Sequence, residues 1–146
     1  DMDAQPWLRS AASRLVHAHG IKRRLGKTPG LMQRVHDSRD GASAVQLLRR
    51  ALFGGATAEA PFWVLRELIR DGIVDGLKFA DASVVPTRRL LLNASRIGLV
   101  ESAEVTTFEG LIVASRVVAS HFDASTGFGE ALEYMDRGLG LSLKGL

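Results

Sequence analysis

The sequence predicts a mainly α-helical protein, in which a helical N-terminal extension leads into a small domain and a C-terminal helix. Three observations predict it. Apolar residues recur at three-to-four spacing in one segment after another. Gly, Pro and Asp-Gly pairs separate those segments. The composition, 46% hydrophobic with a mean hydropathy of +0.06 over 146 residues, is that of a globular chain long enough to bury a core.

From Trp7 to Leu25 the spacing predicts a helix, with Gly20 as its weak point. Trp7, Leu8, Ala11, Ala12, Leu15 and Val16 form its apolar stripe, and Arg9 and Arg14 fall on other faces. Pro6 suits its first turn. Gly26-Lys27-Thr28-Pro29-Gly30 ends the unit, and a short helix is expected over Leu31 to His36. After the turn Asp37–Gly41, Ser43 is the expected cap of a helix from Ala44 to Phe53. Gly54-Gly55 closes that helix and reads as a linker.

Pro61 opens a further helix with Val64, Leu65, Leu68 and Ile69 on one face, stopped by Asp71-Gly72. A short helix is expected from Asp75 to Ala82, and a longer one from Pro86 to Ile97 with Gly98 beyond its end. Leu99-Val100-Glu101 reads as a short extended piece. Thr106 or Thr107 caps a helix carrying Phe108, Leu111, Ile112, Val118, Ala119 and Phe122. Ser125-Thr126-Gly127 introduces a last helix, Phe128 to Arg137, before a Gly/Leu-rich tail that packs on the core or on a partner. The organisation is thus a basic helical segment over 1–55, a domain over 60–122, and a helix and tail over 123–146.

In the helix 86–97, Leu90, Leu91, Ala94 and Ile97 share the inward face. The same spacing turns Arg89, Asn93 and Arg96 outward, with Arg88 near the helix start. Arg and Asn make bidentate contacts with guanine and adenine edges, and Arg88 is placed to reach phosphate. These arginines also fit an ordinary solvated helix face.

Three stretches, in this order, resemble a winged helix-turn-helix domain of the bacterial-regulator kind. Phe62-Trp63-Val64-Leu65-Arg66-Glu67-Leu68 resembles its first helix. The run Pro86-Thr87-Arg88-Arg89-Leu90-Leu91-Leu92-Asn93-Ala94-Ser95-Arg96-Ile97-Gly98-Leu99-Val100-Glu101 resembles a recognition helix running into the first wing strand. Val105-Thr106-Thr107-Phe108-Glu109-Gly110 resembles the turn that follows the wing. The resemblance covers residues 60–122, with a very short wing over 102–105. It implies double-stranded DNA as ligand, read by Arg88, Arg89, Asn93 and Arg96. Winged helices also serve as docking and dimerisation modules, so a homodimer or another protein partner is the alternative.

The charge is uneven. Residues 1–50 carry ten Lys/Arg against four Asp/Glu, and residues 51–146 carry nine against twelve. Fifteen of the nineteen basic residues are arginine, as an anionic partner favours and as a GC-rich genome also produces. Lys22, Arg23, Arg24 and Lys27 form a basic loop that would touch phosphate or simply be solvated. The stretch Gly20–Thr28 nearly spells a phosphate-binding P-loop, but five residues separate its glycines where the motif has four.

Other chemistry finds little footing. Without cysteine there is no disulfide, thiolate metal site or cysteine nucleophile, as suits a reducing cytoplasm. His17 and His19 cannot share a helix face, and His36 and His121 lack ligand partners at metal spacing. No Ser-His-Asp set stands out, so neither an enzyme, a cofactor nor a metal is expected. No apolar run approaches a membrane span. The acidic, polar start Asp1–Gln5 is unlike a secretory signal, and beginning on Asp points to an excised piece.

Overall fold

The computed structural model describes residues 23–24, 27–55 and 57–121. Five helices and one 3-10 turn make up the fold there, with no strand among the described residues. The mainly α expectation therefore holds. The expected helix from Trp7 falls almost wholly outside the described residues, as do Phe122, the helix 128–137 and the Leu-rich tail.

Helix α1 (Leu31–His36) follows Gly30, whose φ of 76° lies in the left-handed region. Leu31 and Val35, one turn apart, are buried. Helix α2 (Gly41–Phe53) starts earlier than its sequence suggests, because the cap is Asp40 rather than Ser43. Asp40 is extended, and its carboxylate accepts from the Ser43 N–H at 2.8 Å. Ala44, Val45, Leu48 and Leu52 form the buried stripe, and Gly54 at φ 60° ends the helix. Gly54-Gly55 does not separate two cores: residues 31–52 and 62–118 contribute to a single buried cluster.

Helix α3 (Ala60–Arg70) has Pro61 in its first turn and buries Phe62, Val64, Leu65 and Leu68, mainly against α2. The helix expected over Asp75 to Ala82 is not formed. Only a 3-10 turn, Ala80–Ala82, is present. Asp75 instead accepts from the Leu77 N–H at 2.8 Å, a side-chain bond that competes with helix hydrogen bonding, and Gly76 weakens the helix further. Asp81 is drawn away to α2, where its carboxylate accepts from the Gly41 N–H at 2.7 Å and the Ala42 N–H at 3.1 Å. Two carboxylates thus satisfy three N–H groups that the start of α2 leaves without helical partners.

Helix α4 (Arg88–Arg96) begins two residues after Pro86, since Thr87 is its cap and accepts from the Leu90 N–H at 3.1 Å. Gly98 at φ 80° follows its end. The Leu99 N–H donates back to the Ala94 carbonyl at 2.9 Å, and the Glu104 N–H donates to the Ser102 hydroxyl at 3.0 Å. Both bonds bend the chain, so Leu99-Val100-Glu101 is not a strand. Helix α5 (Phe108–His121) is capped by Thr107, which accepts from the Gly110 N–H at 3.1 Å.

The 3-10 turn packs on both α2 and α5. At one end of the core the Phe62 and Phe108 rings lie 5.5 Å apart, and the Arg49 guanidinium stacks 4.6 Å over Phe108. At the other, Asp81 joins Gly41 of α2 to Arg116 of α5, the last pair at 3.8 Å. The buried Ser115 hydroxyl donates to the Val84 carbonyl at 2.6 Å and ties α5 to the strap before α4. Leu65, Leu68, Leu91, Ala94, Leu111 and Ile112 all join the core, with Ile97 packed at its edge.

Candidate nucleic-acid interface

Of the candidate base-reading residues on α4, Arg88 and Arg96 are exposed and Arg89 is half-buried. Asn93 is not outward. It is 1% exposed, and its Oδ1 accepts from Arg96 Nη1 at 3.2 Å. At about 100° per residue, Asn93 lies on the flank of the Leu90–Ala94 stripe rather than opposite it, and burial reaches round that far. A buried amide needs its hydrogen bonds met inside the protein, so its place is structural. Arg96 is the side chain that connects it to the surface.

The basic loop is likewise divided. Arg23 and Lys27 are exposed. The Arg24 guanidinium turns onto the protein and donates to the Leu52 carbonyl, capping the C-terminal end of α2. The Lys27 N–H and the Thr28 hydroxyl both bond the Arg24 carbonyl, at 3.1 and 3.0 Å, so 24–28 is a turn rather than a phosphate loop. Lys22 lies outside the described residues, as do His17 and His19.

Three exposed arginines were not singled out by the sequence reading: Arg34 on α1, Arg39 before α2 and Arg50 on α2. The charge excess of residues 1–50 was the signal that contained them. Their acidic neighbours are locally engaged. Asp37 accepts from Gln33 at 3.0 Å and lies 3.2 Å from His36 Nδ1. The His36 hydrogen bond, then that of Gln33, holds its carboxyl below the usual carboxylate range. Asp40 is lowered mainly by the Ser43 backbone N–H. Among the described residues no carboxylate lies within ion-pair distance of Arg23, Lys27, Arg34, Arg50 or Arg88. Over 23–55 this leaves seven basic residues against two acids.

Elsewhere the surface is mixed. Glu101, Glu104 and Glu109 are exposed around the turn between α4 and α5. No group of acidic or histidine side chains that could hold a metal occurs among the described residues, and no helix there is long and apolar enough to cross a membrane. His121 Nδ1 sits 2.8 Å from the Val117 carbonyl, at the end of α5. Compared with known protein families, curated proteins and solved structures, the chain matches none.

Proposed function

We propose that the protein is a non-enzymatic nucleic-acid-binding module of the cytoplasm, regulatory or accessory, whose ligand is double-stranded DNA. The observation that carries this reading is the set of exposed, uncompensated cations on the loop 23–27, α1, α2 and the start of α4. Such groups release condensed counterions when they meet phosphates, and that release drives binding. The succession of α3, the 3-10 turn, α4 and α5 is compatible with a winged-helix-like arrangement with the wing reduced to a bend. In that arrangement Arg88, Arg89 and Arg96 meet the duplex, and Asn93 holds Arg96 from behind. Phosphate contacts then dominate, and base discrimination is modest.

A duplex titration at two salt concentrations tests this. Each neutralised phosphate adds about −0.9 to the slope of log K against log salt, so four or five contacts give a slope near −4. Absence of duplex binding at low salt removes the reading.

A second reading, a protein-docking adaptor, is favoured by a different observation: Ile73 and Leu77 stay exposed on an ordered loop. It predicts association with protein and indifference to duplex.

A further inference from the structure

Four large apolar side chains remain exposed among the described residues, and two of them, Ile73 and Leu77, share the loop 71–79. They are 51% and 90% exposed. The loop that carries them is tied down. The Ile73 N–H donates to the Leu68 carbonyl at 2.9 Å, the Leu77 N–H to Asp75, and the Lys78 ammonium to the His36 carbonyl at 2.9 Å. Val74 and Phe79 are buried between these anchors. An ordered loop that holds a leucine into water loses the gain of burying it, roughly 1.5–3 kcal/mol for a full side chain, unless something covers it.

We propose that Ile73 and Leu77 are the seat of the chain's own N-terminal segment, residues 7–22. The chemistry matches. The segment offers the apolar stripe Trp7, Leu8, Ala11, Ala12, Leu15 and Val16, flanked by Arg9, Arg14 and Lys22. The loop offers two apolar side chains flanked by exposed Asp71 and Asp75, neither with a cation in ion-pair distance among the described residues. The reach matches too. Arg24 is fixed at the C-terminal end of α2, while the Lys78–His36 and Asp81–Gly41 bonds place the loop toward the other end. The thirteen residues of α2 span about 20 Å, and sixteen residues cover about 24 Å even when fully helical. One copy therefore suffices. The inference does not rest on nucleic-acid binding.

Hydrogen exchange on the full chain tests it, with the parent beside Ile73→Lys/Leu77→Lys. Both substituted positions are surface positions, and unchanged melting will show that the fold survives. The proposal expects protection across residues 7–20 in the parent at every protein concentration, and exchange roughly tenfold faster or more in the variant. The converse variant, Leu15→Lys, should raise hydroxyl-radical labelling of Leu77 without altering the 71–79 backbone. It keeps the test open if the double variant fails to fold. Equal exchange of 7–20 in parent and variant overturns the proposal. So does unchanged labelling of Leu77, or protection that vanishes on dilution together with a dimer, which would assign the seat to a second copy.

Discussion

Asp81 and Gly41, forty positions apart, meet at the start of α2, where Asp81 Oδ1 stands 2.7 Å from the Gly41 backbone nitrogen. The contact leaves no space for a side chain. A Cβ at Gly41 would fall 2.5 Å from Asp81 Oδ1 and 2.8 Å from the Ala82 nitrogen. The glycine is present for close approach, and the approach lets a negative charge meet the positive end of the helix.

Gly41→Ala therefore reverses the usual sign of a glycine-to-alanine change in a helix. Helix propensity alone would stabilise by about 1 kcal/mol. Crowding against a backbone nitrogen and a bonded carboxylate should instead cost about 1–3 kcal/mol. Asp81→Ala should cost a similar amount by leaving the Gly41 and Ala42 N–H groups without their partner. Urea denaturation checks both, and a Gly41→Ala protein as stable as the parent would show that the 3-10 turn gives way freely.

Asn93 and Arg88 separate structure from binding. Asn93→Ala removes a buried amide and should lower stability by about 1–3 kcal/mol. Arg88→Ala touches only an exposed side chain and should move stability by less than about 0.5 kcal/mol while weakening duplex binding. Thermal melts and duplex titrations on the two proteins give the comparison. If Asn93→Ala melts like the parent but loses sequence discrimination, the amide is a base reader after all.

How much of this was legible beforehand follows from what each signal measures. Leu31 to His36 was predicted to the residue, because Gly30 and the Asp37 turn bound a clear Leu31/Val35 pair. The core stripes of α3, α4 and α5 followed from spacing alone. Asn93 was misplaced because an i, i+4, i+7 count divides a helix into two faces, whereas a packed helix can bury well over half its circumference. The helix 75–82 failed because the demand on Asp81 is tertiary: its partners, Gly41 and Ala42, are distant in sequence. Arg24 was read as a free cation for the same reason, its acceptor being Leu52. The basic surface itself was visible in the charge count, but not which cations would be spent inside the protein.

Acid should act partly through Asp40. Its folded-state carboxyl titrates below the ordinary value, chiefly because of the Ser43 N–H. A depressed value means that its stabilisation is complete above the unfolded value near 3.8 and is lost as pH falls through the lower folded value. Asp40→Asn keeps a capping oxygen but cannot titrate. The variant should lose less stability than the parent between about pH 4 and pH 2, while remaining close to it at pH 7. Parallel urea midpoints across that range decide it, and parallel curves would assign the acid sensitivity elsewhere.

The last expectation concerns the cations themselves, which fall into two groups with different tasks. Arg34 and Arg50 lie on α1 and α2, outside the resemblance region, whereas Arg88 and Arg96 lie on α4 within it. All four are exposed. Phosphates carry no sequence information, so Arg34→Gln/Arg50→Gln should weaken binding to every duplex equally and flatten the salt slope by about two contacts' worth, near 1.8. Arg88→Gln/Arg96→Gln should flatten the slope less if one of the pair faces a base edge, and should then narrow the difference between preferred and random duplexes. Arg24 is left intact in both proteins, since its guanidinium holds the end of α2 and its loss would confuse binding with folding. Titrations of both variants on two duplexes at two salts, with sedimentation on the same samples, separate the readings. Should Arg34→Gln/Arg50→Gln change self-association while duplex affinity stays negligible in the parent, the cations serve a protein partner and the adaptor reading takes over.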